Sequence, residues 1–153
     1  HKSDRVRLEA LKALTRRDVN MIKKLFHLID DPVFTIRRLM WNYLEKHKNR
    51  ETGNLILDYL DHKKIRREDH EQILNCYKTL VHCDSRGFVP FLRESLISQG
   101  LNFSFDRSVR RRGAALALLE LDTEEAQEVL KRASKSLFPN VRSAYRNAVK
   151  VHK

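Results

Sequence analysis

The chain has 153 residues, 41% of them hydrophobic, and 31 Lys and Arg against 20 Asp and Glu give it a net charge of +11. Such a length suits one domain or one repeat array, and the apolar share is too high for a disordered chain. Only 4 Gly and 3 Pro are present, too sparse for the turns that an all-β fold needs at roughly ten-residue spacing, whereas the abundant Leu, Ala, Arg, Lys and Glu are strong helix formers.

In chain order the predicted elements are helices of two alternating kinds. The first kind opens on a β-branched apolar residue, usually followed by Arg, with small or apolar residues at later positions of the same 3.6-residue stripe. Val6-Arg7 with Ala10, Ala13 and Leu14 is its first copy. An amphipathic helix over 18–29 follows, carrying Ile22, Leu25, Phe26 and Ile29. The turn Asp30-Asp31-Pro32 leads into Ile36-Arg37 with Met40, Tyr43 and Leu44. A helix over 52–60 brings Leu55, Ile56, Tyr59 and Leu60, and the basic run His62 to Arg67 reads as an exposed turn. Ile73-Leu74 with Tyr77, Leu80 and Val81 is a degenerate copy, and the helix over 87–97 carries Phe88, Phe91, Leu92 and Leu96.

A loop from Ser98 to Phe105 precedes Val109-Arg110, with Gly113, Leu116 and Ala117. Thr123 is the predicted N-cap of a helix over 123–133, with Glu124 and Glu125 favourable at its start. Phe138-Pro139-Asn140 is the turn before Val141-Arg142, with Tyr145, Ala148 and Val149. Copies begin at 6, 36, 73, 109 and 141, so the spacings are 30, 37, 36 and 32 residues. The expectation is an all-α fold: a single α-solenoid domain over 1–153, a superhelix of antiparallel helix pairs with about nine helices.

Asp31-Pro32 before Ile36-Arg37, and Pro139-Asn140-Val141-Arg142, resemble the turn and second helix of the HEAT-repeat (armadillo-like) family. Arg111 to Asp122, followed by TEEAQEVLKRA, is similar to repeats of the bacterial HEAT type. The third copy departs from the pattern, with Leu74 in the Arg position and no preceding Pro. The resemblance implies a right-handed superhelix with the motif-bearing helices on its concave face. It also implies recognition in place of chemistry, and a mostly structural role for Arg37, Arg110 and Arg142. The chain starts at His1 without a Met and opens on a motif-bearing helix lacking its mate. It therefore reads as a piece of a longer protein, with Leu8 and Leu11 on a side left uncovered.

If the stripe is buried, the opposite side faces a partner. That side holds Arg38, Trp41, Asn42 and Glu45, then Asn75, Lys78, Thr79 and His82, then Arg111, Ala114, Ala115 and Leu118, and finally Ser143, Arg146, Asn147 and Lys150. The candidate partner-binding residues are Arg38, Trp41, Asn42, Glu45, Asn75, Lys78, His82, Arg111, Arg146 and Lys150, since Trp and Arg are enriched at binding hot spots. The cluster Arg107, Arg111 and Arg112 opens a predicted helix, where unpaired backbone N–H groups and the helix dipole favour an anion. Asp106 is an alternative N-cap there, in which case the arginines are solvated or ion-paired.

No Gly-rich phosphate loop, GxSxG elbow or HExxH motif occurs. Cys76, His82 and Cys83 lack a fourth ligand and the short spacing of a zinc site. Cys76 and Cys83 lie seven residues apart on one predicted helix, too far apart for a disulfide, so reduced thiols in a cytoplasmic setting are expected. His70-Glu71 is a single pair, unlike the several pairs of the HEAT-like iron hydroxylases. Trp41 and Glu45, one turn apart, resemble the face of a HEAT-like alkylpurine DNA glycosylase. However, the acid is Glu instead of Asp, Lys78 stands where Arg would help, and no second aromatic joins them. The expectation is no enzyme, no cofactor, no metal and no membrane span. The predicted function is a scaffold or adaptor for a protein partner or another domain of the same chain, with nucleic-acid binding as the alternative.

Overall fold

The computed structural model describes residues 2–16, 21–84, 87–98 and 104–152. Among them the regular elements are helical: α1 (Asp4–Arg16), α2 (Ile22–Leu25), α3 (Phe34–Lys46), α4 (Arg50–His62), α5 (His70–Cys83), α6 (Val89–Ile97), α7 (Phe105–Leu121), α8 (Glu124–Ser134) and α9 (Pro139–His152). Short 3₁₀ turns cover Phe26–Asp30 and Arg67–Asp69. The all-α expectation holds, with nine α-helices among the described residues. The start of the helix expected over 18–29, and most of the expected loop from Ser98 to Phe105, lie outside them. Backbone packing divides the chain into two compact units, His1–Leu55 and Ile56–Lys153, with the boundary inside α4.

In the first unit α1 packs on α3. Ile36, Met40, Tyr43 and Leu44 are all buried, as their stripe predicts. The first copy does not follow its stripe. Val6 is 47% exposed and Ala10 and Ala13 are also exposed, while Leu11 is buried at 1%. The reason is that Arg7 turns inward to Asp31, which fixes the rotation of α1 and leaves the Val6 side uncovered. The helix expected over 18–29 is also cut short. After one turn of α2 the chain tightens into the 3₁₀ turn Phe26–Asp30, which ends at Asp31, where the following Pro32 disfavours helical backbone. Asp31 is extended, with φ −57° and ψ 136°.

In the second unit α7 is central. It lies between α5 and α9 and is covered by α6 and α8. Gly113 lets α7 meet the ring of Tyr77 on α5: a Cβ there would come within 2.4 Å of Tyr77 Cδ2. Tyr77 is stacked on Phe91, with ring centroids 5.8 Å apart, and its hydroxyl donates to Ser95 Oγ at 3.2 Å. Thr123 caps α8 as expected, accepting from Ala126 N at 3.3 Å. At α7 the cap is Ser104, which accepts from Arg107 N at 3.4 Å, and not Asp106. Asp106 lies inside the first turn and pairs with Arg110.

The motif arginines are turned onto the backbone. Arg37 Nη1 donates to the carbonyls of Asp31, at 2.7 Å, and Pro32, at 3.0 Å. Arg142 Nη1 donates to the carbonyl of Ser136, again six residues upstream. Arg110 reaches the last turn of α4, donating to the carbonyls of Leu60 at 2.6 Å and Lys63 at 3.0 Å. A guanidinium at a helix C-terminus satisfies carbonyls that lack an intrahelical partner and meets the negative end of the dipole. The basic run His62 to Arg67 is therefore not a wholly exposed turn: Ile65 is buried, and Lys63 lies over the Tyr59 ring at 5.5 Å.

Candidate binding site

In the first unit the expected partner side belongs to α3. Arg38, Asn42 and Glu45 are exposed and Trp41 is half-buried. Glu45 pairs with Lys48 one turn on. Asn42 and Glu45 also line a groove of about 440 Å³ with Thr15, Leu39, Tyr43 and Lys46. Phe34, absent from the expected set, begins the same face. It is 64% exposed, and the guanidinium carbons of Arg37 and Arg38 stand 5.7 and 6.0 Å from its ring centroid. Spacings of four, seven and eight residues place Phe34, Arg38, Trp41 and Asn42 on one stripe. That spacing is legible in the sequence, but Phe34 stands two residues ahead of the Ile36-Arg37 motif from which the partner side is counted.

In the second unit Asn75, Lys78, Arg146 and Lys150 are exposed, so these candidates are open to solvent. His82 is exposed as well, but its Nε2 lies 2.9 Å from Glu120 Oε1 and joins α5 to α7. Arg111 corrects the expectation. It is 3% exposed, and Ala114, Ala115 and Leu118 beside it are buried too. Four neighbouring helices pack against α7, so the side of its middle that carries Ala114, Ala115 and Leu118 is not open to a partner. Among the described residues no group of three His, Cys, Asp or Glu is placed to hold a metal. No helix among them is long and apolar enough to cross a membrane.

Arg111 and Arg112 instead enter the wall of a cleft of about 410 Å³ formed by α5, α7 and α9. From α7 come Phe105, Ser108 and Val109 beside the arginines, and from α9 Asn140, Ser143, Ala144 and Asn147. His70 contributes from α5, and the cap residue Ser104 completes the wall. Among the described residues no carboxylate lines it. Arg111 Nη2 donates to the Ser98 carbonyl at 3.1 Å. The Nε atoms of Arg111 and Arg112 are buried and have no hydrogen-bond partner. Burial, and then the charge of Arg107, push Arg111 below its ordinary value. Since a guanidinium keeps its proton in proteins, this marks a buried cation without compensating charge. Arg107 itself is half-buried and stays outside the lining.

Comparison of the chain with protein-family models, with curated proteins and with solved structures finds no match.

Proposed function

We propose that the chain is a non-enzymatic interaction module of the HEAT-repeat kind, its helix pairs forming a solenoid, and that a protein partner or another domain of the same polypeptide docks on the face of α3. The observation that carries this reading is Phe34. An aromatic ring left 64% exposed, with two guanidiniums 5.7 and 6.0 Å from its centroid, adds little to the first unit's core. It continues into Arg38, Trp41 and Asn42, side chains of the types that anchor interfaces. The inward-turned motif arginines support the same reading, because a repeat that ties its own turns leaves its other faces for recognition.

A photo-crosslinking side chain at Asn42 would identify the partner. Trp41→Ala and Phe34→Ala should each then weaken binding by about 2 kcal/mol, in the range of hot-spot truncations. Binding should change little with salt, because aromatic burial is not screened. A nucleic-acid role predicts the reverse: steep salt dependence and loss through Arg38→Ala with Lys46→Ala, both exposed on α3. If those changes abolish binding and Trp41→Ala does nothing, the protein-scaffold reading fails.

A further inference from the structure

We propose that the cleft among α5, α7 and α9 binds a terminal phosphate group, the monoester end of a small phosphorylated molecule or of a phosphorylated side chain. It lies in the second unit and shares no residue with the α3 face, so it stands independently of the docking proposal. The argument begins with an imbalance of charge. Arg111 is 3% exposed, and its hydrogen bond to the Ser98 carbonyl engages one of five guanidinium N–H groups. Its Nε and that of Arg112 are buried without a partner, and among the described residues no carboxylate lines the cleft. A buried cation left in this state is costly unless an anion meets it. The described residues supply none there, which leaves the place for a ligand's charge.

The remaining wall selects the kind of anion. Ser108 and Ser143 offer hydroxyls, and Asn140 and Asn147 offer amides, with Asn147 Nδ2 donating to Ser143 Oγ at 3.5 Å. Ser104 and Phe105 place the first turn of α7 in the same wall, where backbone N–H groups point out of the helix. Donors therefore come from two helices around one space. A flat carboxylate is satisfied by one bidentate guanidinium, whereas the several oxygens of a phosphate use donors arriving from different sides. A phosphate within a nucleic-acid backbone carries a sugar on each flank and is read along an open basic surface. A terminal phosphate can enter a cleft whose charge lies in its wall.

Calorimetric titration of the whole chain with inorganic phosphate, at constant ionic strength, tests this. Saturable binding at one site is expected. Arg112→Ala and Ser143→Asp should each weaken it about tenfold or more, with helicity unchanged. Ser143 is exposed, so its variant adds a repelling charge without disturbing the core. Arg132→Ala, an exposed change on α8 outside the cleft, should have no effect. Glycerol phosphate binding more tightly than a phosphoserine peptide assigns the site to small molecules. The reverse order, with the unphosphorylated peptide silent, assigns it to a modified side chain. The proposal is overturned if phosphate does not saturate, or if Arg132→Ala weakens binding as much as Arg112→Ala. It is also overturned if duplex DNA at equal phosphate concentration outcompetes inorganic phosphate.

Discussion

Arg7 holds Asp31 in a two-point grip, Nε to Oδ2 at 2.7 Å and Nη2 to Oδ1 at 3.1 Å, with 4% of the Asp31 side chain exposed. Asp31 Oδ1 also accepts from Val33 N at 2.9 Å. One carboxylate therefore fixes the rotation of α1 and the geometry of the turn into α3.

The Arg7 hydrogen bond, and then the Val33 N–H and the charges of Arg7 and Arg37, outweigh burial and hold Asp31 below the usual carboxylate range. A depressed folded value means that its contribution is complete above the unfolded value of about 3.9 and is lost as pH falls through the folded one. Asp31→Asn should cost about 1 kcal/mol at neutral pH, discounted for the solvent that reaches the guanidinium. Melting temperatures followed from neutral pH to below about pH 4 should converge for the two proteins. Parallel curves would show that the pair contributes nothing to acid sensitivity.

Gly113→Ala should destabilise the second unit although alanine is the better helix former. The propensity gain is about 1 kcal/mol, and forcing a methyl into a filled space costs about 1–3 kcal/mol. The new Cβ would lie 2.4 Å from Tyr77 Cδ2 and 2.7 Å from Cγ, and Phe91 and Ser95 hold that ring in place. A net loss of up to about 2 kcal/mol in urea unfolding is expected, shrinking in a Tyr77→Leu background. A stabilised variant would mean that α5 and α7 are not in this contact.

Burial pushes the Tyr77 phenol up to about 12, against smaller opposing effects of the Ser95 hydrogen bond and the Arg110 charge. The neutral phenol is thus the form that folding favours. Its contribution is full below the ordinary value of about 10 and is lost as pH rises through the folded value. Stability should fall by on the order of 2–3 kcal/mol across that alkaline window from this group alone. Tyr77→Phe, which gives up about 1 kcal/mol for the Ser95 bond at neutral pH, should lack that part of the fall. If both proteins lose equal stability, Tyr77 is not the titrating group.

The second and third motif copies were legible because their stripes are strong: Ile36, Met40, Tyr43 and Leu44, and Ile73, Tyr77, Leu80 and Val81, are all buried. The Thr123 cap was legible from local chemistry alone. The rotation of α1 was not, because a stripe of Val6, Ala10 and Ala13 is too weakly apolar to outweigh the Arg7–Asp31 pair. Nor was the burial of Arg111, since the pattern of one helix does not say how many neighbours surround it. Arg107, Arg111 and Arg112 did stand out as a candidate anion site, but the cleft itself needs His70, Ser108 and Ser143 brought together from three helices.

Arg37 and Arg142 each fasten a turn to a carbonyl six residues behind them. Such a loop is so short that little chain freedom is lost in closing it. Each of these bends therefore carries its own latch within its own stretch of sequence, and that latch can set before distant parts of the polypeptide meet. A segment built this way is portable: copied or transplanted with its six-residue latch, it brings the angle of its bend along.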